Sequence, residues 1–278
     1  MSNNPSADSF AHIDIYADTT TKIPAVSGRD QPKFHSAVHR TNTAQAFTQG
    51  ADTYQDIRPG YPDFVVDTLS ATNTAIDIGA GTGKLTAALC ASEKFTQITA
   101  LDPSMDMLNI LRTQLPKVHT LQATAEHTGL TQCQFETLTC AQSWHWVDPL
   151  AASAELARIS TADAQFLLVW NTLDVSIPWV HRLSRIMHSG DTLKPDFVPP
   201  IAKPWMIHTT IRDTWSQALV AQDLHRLAHT RSYWLRANEQ SRQRLTKNLD
   251  WYLYEHLGLT AHSPVSLPYR VDAFYAAK

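Results

Sequence analysis

The stretch AIDIGAGTGKLT, from Ala75 to Thr86, decides the fold class because three alternate glycines directly follow a short apolar run. Glycines between a strand and a helix let the backbone turn sharply and approach a ligand closely. The free N–H groups at the start of the following helix then point at that ligand. The stretch therefore predicts a strand, a ligand-binding loop at Gly79, Gly81 and Gly83, and a helix over KLTAALCA.

Short apolar strands and amphipathic helices alternate along the chain after this loop. QITALD, KVHTLQA, FETLTCA and AQFLLVWN have the composition of buried strands. PSMDMLNILRTQL predicts a helix opened by Pro103, and DPLAASAELARIS predicts a helix capped by Asp148. This alternation predicts an α/β fold, with a mostly parallel sheet that is covered by helices on both faces.

The chain loosens after Asn171. The proline-rich stretch DTLKPDFVPPIAKPW predicts a loop, and WMIHTTI predicts a strand. WSQALVAQDLHRLAHT and EQSRQRLTKNLDWYLYEHLG predict helices, the second closed by Gly258, and VSLPYRVDAFYAA predicts a closing strand. Residues 1–33 are rich in Ser, Asn, Asp and Thr, which predicts a flexible extension. Residues 34–278 are expected to form one domain.

Composition excludes several classes of protein. The chain of 278 residues carries a formal net charge of -3, which gives no basic footprint for nucleic acid. No uninterrupted apolar run reaches the ~18 residues of a membrane span. The first residues lack the pattern of a signal peptide, which favours the cytoplasm. Three cysteines are too few for a disulfide framework or a zinc cluster, and we expect no metal. The sequence gives no indication of oligomeric state.

The strand after the glycine loop ends in Asp102, where a carboxylate can accept both hydroxyls of an adenosine ribose. Two cofactor classes use such a device. The dinucleotide fingerprint is G-x-G-x-x-G, whereas Gly79-x-Gly81-x-Gly83 is one residue shorter. A nicotinamide-dependent oxidoreductase therefore stays an alternative, although the spacing argues against it.

The set Asp77, Gly79, Gly81 and Gly83 followed by Asp102 resembles the class I S-adenosylmethionine-dependent methyltransferases. The resemblance implies a Rossmann-like, doubly wound, mostly parallel seven-stranded sheet with an antiparallel closing strand and a helical cap insertion. It implies S-adenosylmethionine as the cofactor and S-adenosylhomocysteine as the product. The residues that it implies for cofactor binding are Tyr54, Arg58, Asp77, Gly79, Ala80, Gly81, Asp102, Pro103, Met107, Ala125, Glu126 and Ala141.

Three further segments resemble a small-molecule subgroup of that family that includes the trans-aconitate methyltransferases. They are YQDIRPGYP ahead of the first strand, AQSWHWVD at the end of the fourth, and LPYRV near the C-terminus. Val147 departs from the pattern, in which an aromatic residue is usual. The resemblance implies a small-molecule acceptor, with a carboxylate or a hydroxyl favoured. We expect residues 34–62 to fold over the cofactor as a lid and residues 187–260 to cap the acceptor pocket.

Methyl transfer from a sulfonium needs alignment and exclusion of water more than a fixed catalytic triad. Trp144, His145 and Trp146 are expected at the edge of the sheet where ligands bind, where they shape the acceptor pocket. The intrinsic pKa of His145 suits a general base, although a carboxylate acceptor needs none. One of the three can instead pack inward. Arg58 is a candidate clamp for a carboxylate, of either the cofactor or the acceptor.

Two negative indications complete the sequence analysis. Cys140 lacks the neighbours of a nucleophilic thiol and is expected in the core, which argues against the chemistry of cytosine C5 methyltransferases. A protein that keeps this fold as a binding module without turnover is the non-enzymatic alternative, which the sequence does not exclude.

Overall fold

The computed structural model describes residues 57–190 and 193–278. The predicted extension over residues 1–33, the first part of the expected lid and Tyr54 lie outside the described residues. The strands within the described part are β1 (Thr72–Ile78), β2 (Phe95–Asp102), β3 (His119–Gln122), β4 (Phe135–Ala141), β5 (Ser160–Leu173), β6 (Met206–Val220) and β7 (Pro264–Ala277).

These strands form one sheet in the order β3-β2-β1-β4-β5-β7-β6. The strands β1 to β5 are parallel to one another, because each connection between them crosses over the sheet. Strand β7 is antiparallel to both of its neighbours, β5 and β6. The Rossmann-like, mostly parallel sheet and its antiparallel closing strand are confirmed.

The described helices are α1 (Phe64–Asp67), α2 (Lys84–Ala91), α3 (Met105–Gln114), α4 (Pro149–Ile159), α5 (Pro178–Ile186), α6 (Asp223–His229), α7 (Ser232–Arg236) and α8 (Glu239–Asp250). A 3₁₀ turn covers Trp144–Trp146, and a π-helical turn, Trp251–His256, extends α8. The start of α4 confirms the predicted cap, since the Asp148 carboxylate accepts from the N–H groups of Leu150 and Ala151. Helix α2 has the predicted bounds.

Two predicted elements are wrong in extent. Helix α3 does not open at Pro103, because the Ser104 hydroxyl accepts from the Met107 N–H and the helix begins at Met105. The helix predicted from Trp215 is a strand for its first part. There β6 pairs with β7 as far as Val220, and only Asp223–His229 is helical. The expected helical cap therefore contains a long edge strand as well.

The sheet separates two apolar cores, and the cap encloses a third. One face packs α1 and α2 against β1, β2 and β5, with Leu85 and Leu89 fully buried. The other face packs α4 and the proline-rich segment 193–205 against β4, β5 and β7. The third core joins α5, α6, α8 and the first half of β7 beyond the end of β5. Helices cover both faces of the parallel strands, as the alternation predicts.

The proline-rich segment is fixed by an ion pair network with a fully buried carboxylate. Asp272 accepts from Nε of Arg212 at 2.9 Å and from Nε of Arg270 at 2.8 Å. Nη2 of each guanidinium group binds main-chain carbonyls of the segment: that of Arg212 donates to Phe197, and that of Arg270 donates to Leu193 and Lys194. The network therefore ties β6 and β7 to the loop that covers the sheet.

Candidate active site

The glycine loop connects the end of β1 to the start of α2, and its three glycines all have positive φ, between 57° and 91°. A Cβ atom at Gly79 would lie 2.4 Å from Oγ of Ser143, and one at Gly83 would lie 2.9 Å from Cγ of Leu111. Real Cβ atoms do not approach neighbours that closely. Gly79 is therefore required by the loop after β4, and Gly83 by the packing of α3 on the loop.

Gly81 differs from its neighbours because, apart from the adjoining residues, no atom of residues 57–190 and 193–278 lies within 4 Å of a Cβ built there. Its N–H donates to Oδ2 of Asp102 at 2.8 Å, which fixes the tip of the loop beside the end of β2. The next residue back, Ala80, donates its N–H to the Leu101 carbonyl at 2.9 Å. Within the described part of the chain, the loop tip thus borders open space next to a carboxylate, which fits the close approach of an adenosyl ligand.

Asp102 is 8% exposed and accepts from two backbone N–H groups, those of Gly81 and Ser104, each at 2.8 Å. Burial raises the pKa of Asp102 above its ordinary value, and the two backbone hydrogen bonds oppose that rise. A carboxylate has about four acceptor sites on its two oxygens, so about two are still available to ribose hydroxyls. The side chain is held in one orientation before any ligand arrives.

Asp77 lies beneath the loop and is 1% exposed. Its oxygens accept from Oγ1 of Thr86 at 2.7 Å and from Oγ1 of Thr139 at 2.9 Å. Burial raises the pKa of Asp77 to about 6, although both hydroxyls oppose the shift. Asp77 therefore ties β1 to α2 and β4 and supports the loop from below.

The residues predicted after β2 and β3 flank this edge of the sheet. Pro103 accepts on its carbonyl from Nε2 of Gln122, and Met107 is buried in the first turn of α3. Ala125 is 5% exposed in the loop after β3. The side chain of Glu126 accepts from the Asp148 N–H at 2.8 Å. The Glu126 carboxylate therefore links that loop to the start of α4, a contact that its sequence position does not indicate.

The turn Trp144–Trp146 at the end of β4 divides the three residues that were expected to line one pocket. Trp144 is 1% exposed, packs edge-on against Phe166 and donates its Nε1–H to the Pro200 carbonyl at 2.7 Å. His145 and Trp146 are half-buried, with their ring centroids 4.9 Å apart. Trp144 thus packs in the core, one of the two placements that the sequence allows for these three residues, whereas His145 and Trp146 lie at the edge.

The end of β4 also carries two residues that the sequence analysis missed. Ala141 ends the strand, and the Ser143 hydroxyl donates to the Ile78 carbonyl at 3.0 Å, which joins this turn to the end of β1. Gln142 has a φ of 53° and donates its side-chain amide to the Asn171 carbonyl. The sequence signal for this turn is the WHW segment that closely follows the end of the strand. Gln142 and Ser143 belong to no helical or strand periodicity, so the sequence pattern does not single them out.

Cys140 is fully buried, with its Sγ atom 2.9 Å from Oγ of Ser143. Burial raises the pKa of this thiol to about 12. The side chain therefore stays protonated near neutral pH and is no nucleophile. The expectation of a core cysteine is confirmed.

Arg58 is the one predicted cofactor residue of the N-terminal segment that the structure describes. Its Nε donates to Oγ1 of Thr230 at 2.8 Å, and its Nη2 donates to the Thr230 carbonyl at 3.1 Å. Thr230 follows α6, so the guanidinium group bridges the N-terminal segment and the cap. The neighbouring carbonyls of Ile57 and Gly60 accept from the side-chain amides of Gln217 and Asn171.

No set of three His, Cys, Asp or Glu side chains within residues 57–190 and 193–278 is arranged to hold a metal ion. In the same part of the chain, no helix has the length and apolar character needed to cross a membrane.

Comparison with known proteins decides the family. A model of the methyltransferase domain matches residues 76–168, which run from β1 through the glycine loop into β5. A Mycobacterium tuberculosis protein named as an uncharacterised methyltransferase is 33% identical over 233 residues, which cover 83% of this chain and 94% of the relative. The chain belongs to the class I S-adenosylmethionine-dependent methyltransferases. It is an enzyme, and S-adenosylmethionine is its cofactor.

Other similar proteins agree with this assignment. A Schizosaccharomyces pombe protein named as an uncharacterised methyltransferase-like protein is 27% identical over 246 residues. These residues cover 84% of this chain and 96% of the relative. A solved structure from Anaeromyxobacter dehalogenans, named as a type II methyltransferase, matches in fold with a TM-score of 0.56 and 21% identity. That match covers 78% of this chain and 97% of the other. The family assignment replaces the nicotinamide-dependent alternative.

Proposed function

We propose that the methyltransferase transfers the methyl group to a small-molecule acceptor, with a carboxylate or a hydroxyl as the receiving group. This proposal is carried by the position of His145 and Trp146. Both side chains are half-buried at the edge of the sheet, directly after Ser143, which lies against Gly79 of the glycine loop. Residues 57–62 lie beside this edge, since Gly60 is bonded to Asn171 of β5 and Arg58 to Thr230 of the cap. The resemblance of three segments to the trans-aconitate methyltransferase subgroup also supports an acceptor of this size.

We propose further that the glycine loop and the ends of β2 and β3 hold the cofactor. The open space at Gly81 and the fixed carboxylate of Asp102 support a ribose and methionine site there. The backbone near Ala125 and the side chain of Met107 would then flank the adenine. Arg58 is assigned to the methionine carboxylate, because its bonds to Thr230 hold a guanidinium group in place at the border of the cap.

When bound, the cofactor supplies a methyl group on a sulfonium, which is already activated towards displacement. The protein must align the acceptor and exclude water. Residues 34–62, as a lid, and residues 187–260, as a cap, would exclude that water. A carboxylate acceptor requires no proton transfer, whereas a hydroxyl acceptor requires a base, and His145 is assigned this role because imidazole takes a proton near neutral pH.

The proposal is tested with cofactor labelled in the methyl group and a panel of small carboxylic acids, phenols and alcohols. Label on a carboxyl is lost as volatile methanol in alkali, whereas label on a hydroxyl oxygen is retained. We expect transfer to small molecules, because the acceptor site lies between segments of one chain. Labelling of protein or nucleic acid only, with none of the small molecules accepted, would contradict the proposal.

The same assay separates the two acceptor classes by the variant His145→Ala. Loss of a general base lowers the rate by about 10²–10⁴-fold, so only hydroxyl methylation should fall by that amount. Carboxyl methylation should change far less. The matched control is His208→Ala, which alters an exposed histidine on the edge strand β6 and should leave both activities intact.

A further inference from the structure

Asn171 is a buried amide at the edge of the sheet where the ligands are expected. Strand β5 runs past the end of β4, because Ala141 pairs with Val169 and Asn171 lies two residues further on. Asn171 is only 3% exposed. A side-chain amide has two donors and one oxygen acceptor, which have to be satisfied when they are buried.

The partners of Asn171 come from three separate parts of the fold. Its Nδ2 donates to the Gly60 carbonyl at 2.9 Å, and its Oδ1 accepts from the Nε1–H of Trp215 at 3.1 Å. Its main-chain carbonyl accepts from the side-chain amide of Gln142. An indole N–H can only donate and a carbonyl can only accept, so the orientation of the amide group is fixed by its partners.

We define the strap as residues 57–62, which contain Arg58. Nε2 of Gln217 donates to the Ile57 carbonyl at 3.1 Å, and Arg58 itself donates to Thr230. Strand β6 and the cap therefore hold the start of the strap, and Asn171 on β5 holds its middle. Because Gly60 is two residues from Arg58, the bond from Asn171 limits where the backbone of Arg58 can lie.

The same residue is connected to the glycine loop. Gln142, which donates to the Asn171 carbonyl, precedes Ser143. Ser143 fills the space that a side chain at Gly79 would need and donates to the Ile78 carbonyl. A contiguous set of contacts therefore runs from the glycine loop through Asn171 to the strap.

We propose that Asn171 is a positioning residue that holds the strap across the edge of the sheet, and thereby holds Arg58 where it binds the methionine carboxylate of the cofactor. The proposal rests on the proposed cofactor site. Under this proposal, Asn171 affects the affinity for the cofactor through the position of Arg58, although it does not contact the cofactor. A purely structural role would instead alter stability alone.

The test is a calorimetric titration of the full chain with S-adenosylhomocysteine. The variant Asn171→Asp keeps an acceptor for Trp215 but places a carboxylate oxygen against the Gly60 carbonyl, so the strap is repelled. We expect binding to weaken about tenfold, which corresponds to the loss of one buried hydrogen bond. The matched control is Trp215→Phe, which removes the other bond to the amide and keeps the ring on Tyr269. Its affinity should stay within about twofold of the wild type.

Two further measurements separate positioning from general damage. At lower pH the introduced carboxyl becomes protonated and can donate to Gly60, so the affinity ratio of variant to wild type should recover. The double variant with Arg58→Ala should bind no more weakly than Arg58→Ala alone, since both changes remove the same interaction.

Each outcome supports or overturns the proposal. Four results would overturn the role of Asn171 and leave the cofactor site intact. The first two are an unchanged affinity in folded Asn171→Asp and equal losses of affinity in Asn171→Asp and Trp215→Phe. The others are no recovery of affinity at lower pH and additive losses in the double variant. Failure of the wild type to bind S-adenosylhomocysteine would instead overturn the proposed cofactor site, and the positioning role with it.

Discussion

Gly79→Ala and Gly81→Ala are expected to differ in stability although both lie in one loop. Both positions have positive φ, 67° and 57°, so each substitution pays the cost of a left-handed backbone, roughly 1–2 kcal/mol. At Gly81 no atom of the described residues, apart from the adjoining ones, lies within 4 Å of the new Cβ. At Gly79 the new Cβ would lie 2.4 Å from Oγ and 2.5 Å from Cβ of Ser143.

The additional cost at Gly79 follows from the displacement of Ser143. Overpacking in a well-packed region costs about 1–3 kcal/mol. The lost hydrogen bond from Ser143 to the Ile78 carbonyl, now 3.0 Å, adds about 1 kcal/mol. The free energy of unfolding should therefore fall by about 3–6 kcal/mol for Gly79→Ala and by about 1–2 kcal/mol for Gly81→Ala.

Thermal denaturation without ligand measures this difference. At about 2–4 °C per kcal/mol for a chain of this size, Gly79→Ala should unfold about 10 °C below the wild type and Gly81→Ala about 4 °C below. Adding Ser143→Gly removes both overlapping atoms, so it should raise the Tm of Gly79→Ala and lower that of Gly81→Ala. Equal Tm values for the two alanine variants, or no recovery with Ser143→Gly, would refute the reasoning.

Two carboxylates near the loop are expected to behave differently. Asp102→Ala should weaken S-adenosylhomocysteine binding by about 1–3 kcal/mol, since charge-assisted bonds to the ribose are lost. Asp106→Ala, an exposed carboxylate on α3, is the control, and equal calorimetric affinities for both variants would contradict the ribose site. Asp77 has its pKa raised from 3.8 to about 6, so folding favours its protonated form, and the stability that this provides is lost as pH rises through that window. The Tm of Asp77→Asn relative to the wild type should therefore increase between pH 4 and 7, by the equivalent of about 3 kcal/mol, and a constant difference would refute the shift.

The sequence predicts the parallel part of the fold well because its signals are local. Helix α2 has the predicted bounds since the glycines and the apolar spacing lie within one stretch. The second half of β6 was predicted as a helix because its partner, β7, lies some fifty residues away along the chain. Pairing with β7 overrides the local pattern, which is the general weakness of β-propensity as a guide.

The candidate site likewise contains residues that the sequence predicts and residues whose contacts it does not indicate. The positions of Gly81 and Asp102 follow from a motif, and the structure brings them within hydrogen-bonding distance. The inward direction of Trp144 depends on Pro200, which belongs to a distant loop, and no spacing indicates it. The polar contacts of Asn171 likewise join segments far apart in sequence, so only the folded chain reveals them.

The buried Asp272 and its two arginines have a consequence for how the proline-rich segment can evolve. The arginines bind the segment through main-chain carbonyls, which every residue type carries. Exposed side chains of the segment can therefore be exchanged without loss of its anchorage, whereas an insertion between Leu193 and Phe197 would move the carbonyls out of register. The three charged residues themselves must be inherited together, because removal of either arginine alone deprives a fully buried carboxylate of half of its ion pairs.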